Sequence, residues 1–323
     1  MIEITVAYYL GIDGGGSKTK CVIGDELAIL ASATAGPSNI TRIGEGRARE
    51  SLHEAIHAAC AAAKVSPHEI KSACVGAAGA AREEIASAVR SFVAELISGA
   101  VEVVGDMAIA LEAAFGAGPG IIVIAGTGSI AYGRDGDGNT ARAGGWGFAV
   151  SDEGSAHWIG RQAVSEVLRA ADERDGCELA ANNTDQQAQL MAAPLFRRLE
   201  AVWNVSSLEQ LARKSNSNPD FAGLFPAVEA AAESGDDLAQ LVLNNAAAEL
   251  ARLATIIVRC LFPKDRPSVT VSMAMVGGVF RHSQQIRSKF AERICARDPR
   301  IALNREIAEP VYGALQMARR FRS

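Results

Sequence analysis

The sequence has few aromatic residues, little net charge and no apolar run long enough for a membrane span. Aromatic residues make up 5% of the 323 residues, and the formal net charge is -5. Proteins that bind nucleic acid use stacked rings and a basic surface, so we expect no nucleic-acid partner. A membrane-spanning helix needs about 20 apolar residues in a row, and no such stretch is present, so we expect no membrane partner either.

Closely spaced cysteine pairs are also absent. None of the cysteines belongs to a C-x-x-C pair, which argues against a zinc site or a disulfide framework. The first residues, MIEITVAYYLGIDGGG, lack the basic segment of a signal peptide. These two features predict reduced thiols and a cytoplasmic location. The cysteines are Cys21, Cys60, Cys74, Cys177, Cys260 and Cys295.

The chain is long enough for two domains, and its composition, 49% hydrophobic and 21% charged, is typical of a packed protein. An apolar strand, a turn rich in glycine, serine or threonine, and a second strand occur twice. The two turns are GIDGGGSKT at 11–19 and AGTGSIA at 125–131. We interpret this pattern as a structural duplication and predict an α/β fold with two lobes.

The predicted lobes are residues 1–116 plus 304–323, and residues 117–303. Glycines after residue 115 interrupt the pattern and mark the predicted boundary. Residues 268–280 predict a last long strand with a glycine turn. A terminal helix over 309–322 is expected to pack back onto the first lobe.

The first glycine-rich turn differs from a P-loop. Ser17 separates Gly16 from Lys18, and a strand-like sequence follows where a P-loop needs a helix. We predict a tight hairpin whose backbone N–H groups bind a phosphate, rather than an ordinary turn. Asp13, at the end of the preceding strand, is a candidate Mg²⁺-facing carboxylate. The candidate nucleotide contacts are Gly15, Gly16, Ser17, Lys18 and Thr19.

The second turn matches the G-x-G-x-x-A dinucleotide pattern, but a helix should follow that pattern and here a strand does. We therefore interpret it as a second phosphate-binding hairpin. Its candidate residues are Gly126, Thr127, Gly128 and Ser129.

Two acidic positions have a structural and a catalytic interpretation. Asp106 follows a buried strand, where it is either a helix cap or a base for a sugar hydroxyl. Asp152 lies in GGWGFAVSDEGS, at 144–155, where it either begins a helix or binds sugar hydroxyls beside the ring of Trp146. Asn39, in the segment GPSN, could serve the same sugar pocket or a turn. The lone His157 is assigned no role.

These segments, together with FAGLFPAVEAAAESGD, VGGVF and PVYGALQMA, resemble the N-acetylglucosamine kinase family within the BadF/BadG/BcrA/BcrD ATPase group. The resemblance implies a two-lobed, actin-like ATPase fold (a duplicated ribonuclease H-like fold) with a cleft between the lobes. It implies that Asp106 is the catalytic base and that Asp13 acts on Mg²⁺. The residues implied around the sugar are Asn39, Asp106, Ser129, Gly145, Trp146 and Asp152. Those implied along ATP are Ser17 and Thr127 at the phosphates and Gly223, Gly277 and Gly278 at the adenosine.

We therefore expect ATP-dependent phosphorylation of N-acetylglucosamine to its 6-phosphate, with ATP and Mg²⁺ as cofactors and a homodimer as the assembly. Glucosamine and N-acetylmuramic acid are the alternative acceptors, since Ile130 stands where the animal enzymes of the family have a polar residue. An ATPase that activates an iron–sulfur dehydratase or reductase of CoA thioesters is a further alternative, for which Cys74 is the one suggestively placed thiol. A non-catalytic nucleotide-binding switch is the third.

Overall fold

Ten strands form two five-stranded sheets in the computed structural model, which describes residues 6–175, 191–217, 219–263 and 270–321, the backbone alone for 173–175. The sheet orders are β3-β2-β1-β4-β5 and β10-β9-β6-β7-β8. The strands are β1 Tyr8–Gly14, β2 Thr19–Gly24, β3 Ile29–Ala35, β4 Ile70–Ala77, β5 Ala100–Gly105, β6 Gly120–Ala125, β7 Ser129–Arg134, β8 Thr140–Gly144, β9 Val271–Val276 and β10 Ile301–Ala308.

Helices occupy most of the remaining described chain. They are α1 Ile40–Ile43, α2 Glu45–Ala63, α3 Glu83–Ala94, α4 Asp106–Phe115, α5 Ala156–Asp175, α6 Pro194–Trp203, α7 Leu208–Ser215, α8 Phe225–Glu233, α9 Asp237–Leu261, α10 Gly278–His282, α11 Gln284–Arg297 and α12 Pro310–Arg320. Short 3-10 helices cover Pro67–Glu69 and Ala222–Leu224.

By backbone contacts the chain divides into two units. The first contains Met1–Ile122, Gly133–Asn139 and Glu306–Ser323. The second contains Val123–Tyr132 and Thr140–Arg305. Each unit is described by itself below.

In the first unit, alternation along β1 builds a core on both faces of the first sheet. Leu10 and Ile12 lie in one buried cluster, with side chains from α2 and α3, while Tyr9 lies in a second cluster with α4 and α12. Successive side chains of a strand point to opposite faces, so one short strand supplies both cores. Helix α12 returns the end of the described chain to β1 and α4.

Strand pairing brings the first predicted turn to the edge of this sheet where its parallel strands end. Strands β1 and β2 are antiparallel, with Gly14 opposite Thr19, which confirms the predicted strand–turn–strand hairpin. Strands β1, β4 and β5 are parallel. Because carboxyl ends of parallel strands meet at one edge, Asp13 near the end of β1 and Asp106 just after β5 reach the same edge.

In the second sheet, the strand–turn–strand prediction for AGTGS is also confirmed, since β6 and β7 flank it. The prediction of a last strand with a glycine turn over 268–280 is confirmed in part: β9 covers Val271–Val276 and Gly277 begins the turn, but β9 is shorter than predicted and is not the last strand. Strand β9 stops at Val276, because Gly277 adopts a φ of +103° and the helix α10 begins at Gly278. The last strand is β10, whose sequence IALNREIA is interrupted by the exposed polar run at 304–306 and therefore has a weak strand pattern.

Helix α9 is the one helix of the described residues long and apolar enough to cross a membrane by length and composition. More than half of its apolar window is buried inside the protein. It packs against α5, α8, α11 and β8. This is the environment of a core helix, so its length and composition are explained by packing.

The close approach of α12 to α4 depends on Gly313. A Cβ atom at this position would lie 2.0 Å from the carbonyl oxygen of Ile109 and 2.5 Å from the backbone nitrogen of Ala113. Neither backbone atom can move without shifting α4. We expect Gly313→Ala to lower the free energy of unfolding by about 1–3 kcal/mol, as overpacking does elsewhere.

The matched control is Gly46→Ala, near the start of α2, where a Cβ atom meets nothing within 4 Å. That substitution should raise stability by about 0.5–1 kcal/mol, because alanine loses less backbone entropy in a helix. Urea denaturation of both variants measures the difference. Equal effects would contradict the packing explanation.

Candidate active site

The first glycine-rich turn closes through its own backbone. The N–H of Gly15 donates to the carbonyl oxygen of Lys18 at 3.1 Å. The Gly15 N–H is therefore used by the turn, and the phosphate contact of Gly15, Gly16, Ser17 and Lys18 stays a prediction. A Cβ atom on Gly16 would meet only the tip of the Arg42 side chain, at 3.6 Å.

Thr19 connects this turn to the segment GPSN. Its buried hydroxyl group donates to the carbonyl oxygen of Gly36 at 2.8 Å and hydrogen-bonds the Ser38 hydroxyl group at 2.7 Å. The N–H of Ser38 donates to the carbonyl oxygen of Gly15 at 3.2 Å. These bonds let Thr19 position the turn, and its nucleotide contact stays a prediction.

Asn39 follows directly and carries an unsatisfied acceptor. Its Oδ1 atom is buried and has no hydrogen-bond partner among the residues that the structure describes. A buried oxygen without a donor costs about 1–3 kcal/mol, so such an atom marks a position where a ligand donor gains free energy. This is consistent with the predicted sugar contact.

Asp106 occupies the first turn of α4, and Gly105 is the helix cap. The Asp106 Oδ1 atom accepts a hydrogen bond from the backbone N–H of Met107 at 2.9 Å. Burial raises the pKa of this carboxyl group, and the backbone hydrogen bonds partly oppose the rise. A raised carboxyl pKa makes Asp106 a stronger proton acceptor than a solvated aspartate.

Asp13 is electrostatically coupled to Asp106. Burial raises the pKa of the Asp13 carboxyl group to about 7, and the negative charges of Asp106 and Glu309 act in the same direction. The positive charges of Lys18 and Lys20 oppose this rise. The edge of the sheet therefore carries negative charge that nearby cations only partly neutralise.

Glu309 is a member of this site that the sequence analysis missed. It is the cap residue of α12, and its Oε2 atom lies 3.1 Å from Nζ of Lys20. The acidic residue before PVYGALQMA was the available signal, but nothing local in that segment places it beside β1 and β2.

The donor set at this edge fits Mg²⁺ held mainly by its nucleotide. No group of three or more potential metal ligands occurs among the described residues. Mg²⁺ usually binds one or two carboxylates and completes its shell with water and phosphate oxygens. Asp13, with its raised pKa, is the carboxylate that a cation would stabilise most.

In the second unit, the structure brings the AGTGS turn onto the DEGS segment. The N–H of Gly126 donates to the carbonyl oxygen of Gly128 at 2.9 Å, so Gly126, like Gly15, uses its N–H to close its turn. Its phosphate contact stays a prediction. A Cβ atom on Gly128 would lie 2.8 Å from Oδ2 of Asp152. Glycine is therefore required at 128 for the Asp152 carboxylate to occupy its position.

Asp152 is buried in a conformation that L-residues rarely adopt. Its φ is +62°, and its carboxylate accepts backbone hydrogen bonds from Ser129 and Gly147. Burial raises the pKa of the carboxyl group, with a further contribution from the charge of Glu153. Strained, buried carboxylates of this kind concentrate at functional sites.

Ser129 also contributes through its side chain. Its hydroxyl group donates to the carbonyl oxygen of Glu153 at 2.7 Å. Ser129 therefore holds the DEGS segment at two points, and only the lone pairs of its hydroxyl oxygen are left to accept a bond from the predicted sugar. Its bonds support a positioning role beside Asp152.

Gly145 and Trp146 lie on the adjoining loop. Gly145 has a φ of +70°, and a Cβ atom there would meet Cδ1 of Ile130 at 2.7 Å. The Trp146 side chain is 69% exposed, and the guanidinium group of Arg142 lies 4.1 Å from its ring centre. The arginine covers part of the ring that was predicted to face a sugar.

His157 connects this loop to the FAG segment, a link that sequence reasoning missed. Its ring lies 5.0 Å from that of Phe148 and 5.3 Å from that of Phe221, centre to centre. Phe221 precedes the predicted adenosine residue Gly223 by two positions. The three rings at 148, 157 and 221 can be read from the sequence, but they lie in separate parts of the chain, so only the fold shows that they are in contact.

The two predicted adenosine glycines of VGGVF lie at the end of β9. A Cβ atom on Gly277 would lie 2.4 Å from the carbonyl oxygen of Ala125, so this glycine brings β9 onto the beginning of the AGTGS turn. Gly278 is the first residue of α10. Gly223 lies apart from them in the 3-10 helix Ala222–Leu224 and is exposed.

The family model, the similar sequences and the similar structures all indicate one ATPase family that contains amino-sugar kinases. The model of the BadF/BadG/BcrA/BcrD ATPase family matches residues 10–318. The N-acetylmuramic acid/N-acetylglucosamine kinase of Clostridium acetobutylicum is 30% identical over 97% of this chain and 98% of its own. The N-acetyl-D-glucosamine kinase of Dictyostelium discoideum is 27% identical over 96% of this chain and 97% of its own. A crystal structure from Chromobacterium violaceum, assigned as an N-acetylglucosamine kinase, has a TM-score of 0.74, 25% identity and coverage of 97% and 99%.

The raised pKa of Asp13 predicts a pH-dependent stability. The folded protein holds this proton up to about pH 7, whereas the ordinary carboxyl pKa is 3.8. Between these values the folded state binds more protons than the unfolded state, so this group makes the protein less stable as the pH rises. Asp13→Asn removes the penalty, so the variant should gain stability relative to the wild type between about pH 5 and about pH 8.

Urea unfolding midpoints of both proteins in magnesium-free buffer measure this change. Asp137→Asn, at an exposed turn, is the control and should show no such trend. A stability difference between Asp13→Asn and the wild type that stays constant with pH would contradict the assigned pKa.

Proposed function

Because the chain belongs to the BadF/BadG/BcrA/BcrD ATPase family, we propose that it is an ATP-dependent kinase that phosphorylates an amino sugar. The proposed acceptor is N-acetylglucosamine and the product is its 6-phosphate. The fold is the actin-like ATPase fold, with two sheet-based lobes. The observation that carries the proposal is the coupled pair Asp13 and Asp106 at the carboxyl edge of the first sheet.

In this mechanism Asp106 accepts the proton of the sugar 6-hydroxyl group. Its burial and its position on the first turn of α4 hold it in one place, and its raised pKa favours proton acceptance. Phosphoryl transfer requires little covalent chemistry from the protein, so orientation of the hydroxyl group and neutralisation of charge supply most of the rate.

The remaining predicted residues have binding roles in the proposal. Asn39 and Asp152 accept hydrogen bonds from the sugar, while the AGTGS and GGGSKT turns hold the phosphates. Asp13 is the residue proposed to hold Mg²⁺, which when bound would neutralise charge on the phosphate oxygens. A homodimer and a cytoplasmic location belong to the same proposal.

The alternative acceptors are glucosamine and N-acetylmuramic acid, and the second of these is supported by the name of the Clostridium relative. The activator of an iron–sulfur enzyme is disfavoured, because Cys74 is fully buried in β4 and burial raises its thiol pKa to about 12. A thiol of this kind does not become the thiolate that a cluster needs. A panel of the three sugars in a coupled ADP-release assay tests the proposal, and ADP release with none of them would overturn it.

We predict that Asp106→Asn lowers turnover by about 10²–10⁴-fold, as loss of a general base does. Sugar affinity should change only modestly, because asparagine keeps the size and one acceptor oxygen. Asp137→Asn, on the exposed turn, is the control for loss of a carboxylate. If the Asp106→Asn enzyme works at a rate near that of the wild type, Asp106 has only a structural role at the helix start.

We predict opposite ligand effects for Asp152→Asn and Gly16→Val. Asparagine tolerates a positive φ but removes the charge, so sugar affinity should fall by about tenfold, the difference between a charged and a neutral hydrogen bond. Nucleotide affinity should stay unchanged. Gly16→Val should weaken the nucleotide alone, because the structure has space for the side chain while the ligand's approach is blocked.

Isothermal titration with the sugar and, separately, with a non-hydrolysable ATP analogue measures both effects. Equal weakening of both ligands by Asp152→Asn would show that the DEGS segment is structural. In that case the proposed sugar site is wrong, whatever the result for Gly16→Val.

A further inference from the structure

A basic cavity lies in the second unit, and none of the residues assigned to catalysis lines it. It has a volume of about 380 Å³ and is enclosed by the second half of α9, the end of α11 and the start of β10. Arg252, Arg259 and Arg297 line it, and Ile256 and Ile294 supply apolar walls. The volume lies within the range of small-molecule sites.

The helix geometry concentrates the arginines on one side. Arg252 and Arg259 are seven residues apart on α9, which places them on the same face two turns apart. Arg297 approaches from α11, where its Nη1 atom donates to the hydroxyl oxygen of Thr255 at 3.1 Å. Three guanidinium groups therefore border one cavity.

The one carboxylate in the lining is neutralised by a further arginine. Asp298 is buried and accepts hydrogen bonds from Nε of Arg300 at 3.0 Å and from Nη2 at 2.7 Å. The same Arg300 donates to the backbone carbonyl oxygens of Phe262 at 2.9 Å and Pro263 at 3.0 Å. These bonds join the end of α9 to the end of α11, so the wall is held in place and the cavity keeps a positive charge.

We propose that this cavity binds the phosphate group of a small phosphate monoester. Guanidinium forks match the oxygens of a phosphate and bind them with paired hydrogen bonds. The isoleucine walls provide room and apolar contact for the body of the ligand. Inorganic phosphate carries the same binding group but lacks that body, so it should bind more weakly.

Arg252 connects the cavity to the DEGS segment. Its Nη2 atom lies 3.5 Å from Oε1 of Glu153, and its Nε donates to Glu249 at 2.6 Å. Glu153 follows Asp152, and its backbone carbonyl oxygen accepts the hydrogen bond from the Ser129 hydroxyl group. A phosphate in the cavity competes for Arg252, and this weakens its attraction to Glu153.

The proposal therefore includes inhibition: an occupied cavity lowers sugar affinity at the DEGS segment. By linkage, bound sugar lowers phosphate affinity by the same factor. This second part depends on the proposed sugar site, whereas the binding itself does not.

Isothermal titration of the full-length protein with inorganic phosphate and with N-acetylglucosamine 6-phosphate tests the binding. The Gly16→Val background removes phosphate binding at the first glycine-rich turn, and there both ligands should still bind. Adding Arg259→Gln and Arg297→Gln should weaken both ligands at least about tenfold, the effect of losing one charged hydrogen bond or more. Arg213→Gln, on α7, removes an exposed charge elsewhere and should change nothing.

Loss of binding in the Arg213→Gln control equal to that in the double variant would overturn the proposal, since it would show a general charge effect. So would the absence of phosphate binding in the Gly16→Val background. Because the titration measures binding and not turnover, it tests the cavity even if the protein phosphorylates no sugar.

The coupling has its own measurement. Inorganic phosphate should lower the sugar affinity of the wild type, and the Arg259→Gln, Arg297→Gln double variant should lose that response while keeping its sugar affinity in phosphate-free buffer. An equal phosphate response in both proteins would overturn the inhibitory part. Failure to bind any sugar would instead contradict the proposed function.

Discussion

The placement of two partly buried aspartates at one sheet edge is the constraint on which the first unit depends. Parallel pairing of β1 with β4 and of β4 with β5 brings Asp13 and Asp106 to that edge. Two carboxylates in a poorly solvated place repel each other, and Lys20 is shared with a third carboxylate, Glu309. The remaining negative charge costs stability in the free protein, and a cation bound at this edge would reduce that cost.

The second unit also contains a residue whose position costs stability, in this case through backbone strain and a buried carboxylate. Asp152 adopts a positive φ and has a buried carboxylate, and its neighbours are arranged to hold it. Ser129 and Gly147 donate their backbone N–H groups, while the missing side chain of Gly128 leaves the space. Strain maintained by several independent contacts is the pattern of a position kept for binding rather than for stability.

Local chemistry was the part of this protein that the sequence could predict. The two strand–turn–strand units followed from apolar runs on either side of glycines, and a helix after Asp106 followed from the preceding strand and the acidic first position. The last strand was missed because three consecutive polar, exposed residues at 304–306 interrupt β10, so its residues carry no clear alternation of apolar side chains. The sequence could not show that the Thr19 hydroxyl group is buried and bonded to Gly36 and Ser38, because a buried hydroxyl group and an exposed one look alike in a sequence.

The sequence by itself determined which chemistry is available: carboxylates after two strands, two tight glycine turns, and an aromatic, acidic loop. Turn conformation and strand periodicity depend on neighbouring residues, so these features are encoded locally. Only the tertiary structure decided that Glu309 lies beside Lys20, 289 residues away, and that His157 packs between Phe148 and Phe221. Such contacts arise when the sheets and helices bury their apolar faces, and no short segment of the chain carries that information.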